Sequence, residues 1–126
     1  MEDSKKILVV DDNRTIKMLL EKRLAAEGYK VFTASDGREG LATATREMPD
    51  LILSDVDMPV MDGGEMVSKL KASIQTSHIP VIFLTSLISK DENMRPASGD
   101  NWYISKMANP AELLIAVRER LALSLK

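Results

Sequence analysis

Cysteine is absent from the 126 residues, and histidine occurs once. The first absence excludes disulfides, thiolate metal sites and a cysteine nucleophile, and it fits a reducing compartment. The second, with no cysteine to help, argues against zinc. Long hydrophobic runs are missing as well. The charged start Met1-Glu2-Asp3-Ser4-Lys5-Lys6 leads into only four apolar residues before two acids, unlike the apolar stretch of a signal peptide. A cytoplasmic chain with no membrane partner is expected. Neither charge sign dominates: 17 Lys and Arg against 19 Asp and Glu give a formal net charge of −2, with the cations scattered. No basic stripe marks a nucleic-acid footprint, so direct nucleic-acid binding is not expected. With 44% apolar and 29% charged residues, the composition is that of a globular protein. The length suits one domain with a real core and is too short for two, and no linker, repeat or low-complexity segment interrupts it, so residues 1–126 read as one unit.

Five short apolar, β-branched runs read as strands: Ile7 to Val10, Lys30 to Ala34, Leu51 to Ser54, Val81 to Thr85 and Trp102 to Ser105. Segments with helical spacing alternate with them. The first places Ile16, Leu19, Leu20, Arg23 and Leu24 on one face and stops at Gly28. The second opens at Asp36 with Glu39 three residues on. The third opens after Asp62-Gly63 and carries Met66, Val67, Leu70 and Ile74 on a stripe. The last has Asn109 as a cap, Pro110 at the first helical position, Glu112 completing a capping box, and Leu113, Leu114, Val117 and Leu121 as its buried face. Between the last two strands, Ser89 and Glu92 suggest a capped start, but Pro96 disfavours helix at Arg95 and Ser98-Gly99 follow closely, so a short or broken fourth helix is expected. Strand–helix alternation five times over predicts an α/β domain with one doubly wound parallel sheet.

In such sheets ligands bind beyond the carboxyl ends of the strands, near the point where strand order reverses. The first run ends in Asp11-Asp12, the third in Asp55, the fourth in Thr85-Ser86 and the fifth in Ser105-Lys106. Only the second ends without such a group, as an order 2-1-3-4-5 predicts, since that strand would sit at an edge. Three carboxylates brought together repel unless a cation holds them or one takes a proton. An all-oxygen set points to Mg²⁺, with Mn²⁺ or Ca²⁺ as alternatives. The metal and Lys106 would then balance the three acids. They would also neutralise the oxygens of an incoming phosphoryl group, with the Thr85 hydroxyl donating a hydrogen bond. A carboxylate is the available nucleophile.

The pair Asp11-Asp12, the stretch Leu51-Ile-Leu-Ser-Asp55-Val-Asp-Met-Pro59-Val-Met-Asp62-Gly63, Thr85-Ser86 and Lys106 resemble the signature set of bacterial response-regulator receiver domains. The resemblance covers nearly the whole chain and implies a flavodoxin-like (βα)5 fold. It implies that Asp55 is phosphorylated from a sensor histidine kinase or phosphotransfer protein. It further implies that Asp12, Asp55 and the backbone carbonyl of Asp57 hold Mg²⁺, with Asp11 acting largely through water. Thr85 and Lys106 would grip the phosphoryl oxygens, and Tyr103 matches the aromatic position that turns inward when the Thr85 hydroxyl moves. The whole would be a switch driven by a dianionic acyl phosphate, read by an output protein that the sequence does not name.

Departures from the family pattern are local. Met107 follows Lys106 where the family usually has proline after a cis peptide, a bond that costs roughly 2.5–4 kcal/mol before other residues. The loop therefore retains that strain or is rebuilt. The irregular segment from 88 to 101 and Trp102 fall on the family's signalling face and suggest an unusual output partner or activation mechanism. Asp57 adds a carboxylate expected to influence acyl-phosphate lifetime. Bland readings compete: acids after a strand often cap the next helix, Met58, Met61 and Met66 serve as gap-filling core and loop anchors, and His78 beside Ile79-Pro80 is structural. Two other functions stand as alternatives. One is a pseudo-receiver that binds a partner without phosphorylation. The other is a haloacid-dehalogenase-like phosphohydrolase, mimicked by Asp55-Val-Asp57 after an apolar strand, although two βα units precede it and Asp11-Asp12 would be unexplained.

Overall fold

The computed structural model describes residues 4–86, 101–106 and 109–124. Five strands, β1 (Lys6–Val10), β2 (Lys30–Ala34), β3 (Leu51–Asp55), β4 (Val81–Thr85) and β5 (Trp102–Ser105), alternate with α1 (Arg14–Ala26), α2 (Gly37–Glu47) and α3 (Gly63–Lys71), and α4 (Pro110–Leu123) closes the order. All pairings are parallel, in the order β2-β1-β3-β4-β5. The expected short or broken helix after β4 falls outside the described residues.

Side chains alternate across a strand, and the core divides accordingly. Ile7, Val9, Leu51, Leu53, Ile82, Leu84, Trp102 and Ile104 face α1 and α4. Leu8, Val10, Ile52, Val81 and Phe83 face α2 and α3. Every residue of β3 and β4 is buried, which is why these runs read as continuously apolar.

Each helix begins where a side-chain oxygen takes an otherwise unpaired amide. The Asn13 carbonyl oxygen Oδ1 accepts from Ile16 N at 3.0 Å. Asp36 accepts from Glu39 N at 2.8 Å, Asp62 from Glu65 N at 2.8 Å and Asn109 from Glu112 N at 2.9 Å. Two sequence expectations fail. Ile74 does not extend the α3 stripe: the helix ends at Lys71, the Thr76 hydroxyl donates to the Leu70 carbonyl at 2.7 Å, and the turns that follow leave Ile74 93% exposed. Leu19 is half exposed because Leu20 and Leu24, with Ile16 partly buried beside them, already fill the narrow stripe that meets the sheet.

Adjacent glycines at the start of α3 do opposite jobs. A Cβ on Gly63 would overlap the Asp55 carbonyl oxygen and sit 2.8 Å from Phe83 Cε1, whereas one on Gly64 would meet only Asp62 Oδ1 at 3.5 Å. Gly63→Ala should therefore destabilise by about 1–3 kcal/mol through overpacking. Gly64→Ala should be neutral or stabilise by up to ~1 kcal/mol, as expected of alanine in a helix. Urea denaturation of both variants measures the contrast, and equal shifts would contradict this account of the packing.

Candidate phosphoacceptor and metal site

The register of the sheet delivers the polar residues to one rim. Val10 pairs with Ser54, so Asp11, one residue further on, lies at the end of β1 beside Asp55. Asp55 pairs with Leu84 and Thr85 with Ser105, so Thr85 and Lys106 follow on the next two strands. The Lys106 amide donates to the Thr85 carbonyl at 2.9 Å, continuing the ladder past β5, and the Asp11 amide donates to the Ala34 carbonyl at 3.1 Å.

Asp11 and Asp55 are buried, while Asp12 is exposed. Lys106 Nζ stands 3.2 Å from Asp55 Oδ1 and 3.7 Å from Asp11 Oδ2. The capping interpretation of the first two acids does not hold, because Asn13 is the α1 cap. Asp11 instead spends Oδ1 on the Asn13 amide at 2.8 Å. Its other oxygen, Oδ2, is buried without a hydrogen bond. Burial pushes the Asp11 carboxyl above its ordinary pKa, against the lowering effects of the Asn13 amide and Lys106 and with the help of the Asp55 and Asp12 charges.

Asp11, Asp12 and Asp55 each offer an oxygen within 4.8 Å of the others, the one such group among the described residues. An oxygen-only set that leaves one buried carboxylate oxygen without a hydrogen bond fits a hard divalent cation. The charges agree with this: three carboxylates and one ammonium leave −2. Asp57 is exposed, so its carboxylate is not packed into the buried basin. Tyr103 is half-buried, and its ring stacks on Phe83 with centroids 5.3 Å apart. By the strand period, Phe83 and Thr85 face the same side of the sheet. The bond between Lys106 and Met107 lies outside the described residues. His78 is exposed at the entrance to β4.

No local sequence pattern marks Asn13, Phe83 or Gly37 as part of the site. Asn13 was hidden by the two acids before it, and Phe83 looked like ordinary core. Gly37 follows an obvious helix cap, and only its close approach to another loop sets it apart, which no local pattern reveals.

An acidic basin entered by one lysine, at the switch point of a 2-1-3-4-5 sheet, belongs to the class of phosphoryl-accepting signalling domains. The model of the response regulator receiver domain matches residues 7–118, and this chain belongs to that family. It is a receiver domain of two-component signalling, a phosphoryl-accepting switch. It is 43% identical over 116 residues to the response regulator PleD of Caulobacter vibrioides, covering 91% of this chain and 26% of PleD; the chain thus spans about a quarter of that relative's length. Among solved structures, the chemotaxis protein CheY4 of Vibrio cholerae superposes with a TM-score of 0.79 at 36% identity, covering 92% of this chain and 98% of CheY4. The receiver domain of the sensor histidine kinase PA1611 of Pseudomonas aeruginosa, with magnesium coordinated in its active-site cleft, gives 0.80 at 28% identity, covering 94% and 98%.

Because the folded-state pKa of Asp11 is raised, the native chain holds a proton that the unfolded chain loses above about pH 3.9. In that window the unfolded state binds fewer protons, so metal-free stability falls as pH rises through the raised pKa and levels off above it. Denaturation with EDTA between pH 4 and pH 7 should show wild type losing stability relative to Asp11→Asn. Parallel curves would remove the argument.

Proposed function

We propose that Asp55 is the phosphoacceptor of a Mg²⁺-dependent transfer from a sensor histidine kinase or phosphotransfer protein, and that the acyl phosphate shifts a Thr85–Tyr103 switch read by an output protein. The 3.2 Å approach of Lys106 Nζ to Asp55 Oδ1 carries this reading. The cysteine-free composition accords with a cytoplasmic setting.

In the transfer, an Asp55 carboxylate oxygen attacks phosphorus as the bond to the donor breaks, and the donor leaves with that bond's electron pair. Little covalent work falls to the protein, so positioning and charge stabilisation dominate. Lys106 holds the Asp55 oxygen before transfer and the phosphoryl oxygens after it. The Thr85 hydroxyl donates to a phosphoryl oxygen. Asp11, Asp12, Asp55 and the Asp57 carbonyl would hold the cation, with Mn²⁺ as a substitute, and the cation supplies neutralisation of the phosphoryl charge. The chain catalyses its own phosphorylation and dephosphorylation and does not turn over a separate substrate. Asp57, beside the phosphoacceptor and open to solvent, orients or repels the water that ends the phosphorylated state.

Incubation with acetyl phosphate and Mg²⁺ should add the mass of one phosphoryl group to wild type and none to Asp55→Asn. Lys106→Met should slow the reaction by roughly 10²-fold or more, the usual cost of removing one stabilising donor. No mass gain in wild type would favour the pseudo-receiver, and many cycles of phosphate-ester cleavage the hydrolase. Asp57→Asn should change the dephosphorylation rate, and a rate equal to wild type would exclude that role.

A further inference from the structure

The segment between β3 and α3 turns on a residue that steric contacts disfavour there. Val60 has φ +69°, which a β-branched residue adopts only under constraint. The Met61 amide donates to the Pro59 carbonyl at 2.7 Å, closing a three-residue γ-turn of the rarer, positive-φ form. Val60 is 73% exposed, so burial of its own side chain does not hold it in place.

Backbone bonds brace the turn from both ends. Gly63 N donates to the Val56 carbonyl at 2.8 Å and closes the base of the loop. Gly37 N, at the start of α2, donates to the Met61 carbonyl at 2.8 Å. A Cβ on Gly37 would overlap that same carbonyl oxygen and stand 2.9 Å from the Asp62 carbonyl oxygen. Glycine is required at 37 by close approach, because α2 must come within hydrogen-bond reach of a loop from another βα unit. The braced loop leaves Asp55 directly, and Asp57 lies only three residues before the strained centre.

We propose that Gly37 is a positioning residue for the divalent cation: its amide and its missing side chain clamp the Met61 carbonyl, hold Val60 in its turn, and thereby fix the direction of the Asp57 carbonyl. This rests on the receiver reading of the site given above. Released from the clamp, a short loop with a strained valine relaxes and carries that carbonyl with it. Outer partners that orient a metal ligand are typically worth 10- to 100-fold in affinity.

Calorimetric titration of the whole chain with Mg²⁺ tests the assignment. Gly37→Ala should raise Kd by about tenfold or more. Val60→Gly should leave Kd within about twofold and raise Tm, since glycine adopts positive φ without strain. The double variant should recover most of the lost affinity, because a glycine at 60 absorbs the displaced Met61 carbonyl within the turn. Gly28→Ala is the control for simple destabilisation: Gly28 has φ +94° with nothing within 4 Å, at the opposite end of the sheet, so that variant should lower Tm and leave Kd unchanged. A folded Gly37→Ala with wild-type Kd, or a double variant no better than Gly37→Ala, overturns the proposal. If Gly37→Ala does not fold, hydrogen exchange on wild type decides: the Gly37 amide should exchange more slowly with Mg²⁺, and an unchanged rate overturns the proposal. Wild type that fails to bind Mg²⁺ sinks the receiver reading and this inference together, a result distinct from variants that bind as wild type does.

Discussion

The buried carboxylates of Asp11 and Asp55, with one lysine ammonium reaching between them, set the constraint that the rest of the structure meets. Their oxygens lie within 4.8 Å of each other, where two like charges repel by roughly 3 kcal/mol or more at an effective dielectric near 20. Lys106 offsets part of that and leaves one Asp11 oxygen buried without a hydrogen bond. A polar atom in that condition costs free energy unless a partner arrives. The basin is therefore poised for a cation, and for the oxygens of a group that a cation helps to bind.

Holding such a basin open requires a frame that does not collapse around it. The sheet provides this through its register, since Asp11, Asp55, Thr85 and Lys106 each stand at or one residue beyond the end of a strand held in parallel register by its neighbours. Beneath the rim, Gly63 packs on the Asp55 carbonyl and against Phe83, and Phe83 stacks on Tyr103. A contact path thus runs from Asp55 at the end of β3, through the start of α3, to the Tyr103 ring on β5. The acidic rim and that ring therefore rest on one packed layer.

Most of this was legible in the sequence because both signals are local. Apolar runs of strand length set the layers, and the residue that ends each run is either chemical or not. Those two facts imply the 2-1-3-4-5 order and the gathering of Asp11, Asp12, Asp55, Thr85 and Lys106 on one rim. What escaped depends on contacts between distant segments. Ile74 kept the α3 spacing, yet Thr76 captured the Leu70 carbonyl and turned the chain away. Leu19 matched the α1 period, but the stripe meeting the sheet is only one residue wide. Gly37 and Val60 carried no pattern, since their constraint is mutual and joins two βα units through one backbone bond.

The proposed switch can be bounded by the same magnitudes. Moving a two-state equilibrium from 1:99 to 99:1 takes about 5.5 kcal/mol of differential interaction. A hydrogen bond to a charged group supplies roughly 1.5–3 kcal/mol, so a new contact from Thr85 alone falls short. Lys106 already pairs with Asp55 before any transfer, so it contributes only the difference between holding a carboxylate and holding a phosphoryl group. Phosphorylation by itself would then leave a mixture of states, and a partner that prefers the switched form would supply the remainder. Linkage makes that exchange reciprocal: a partner drawn by the acyl phosphate must favour, by the same free energy, the state in which Asp55 carries it.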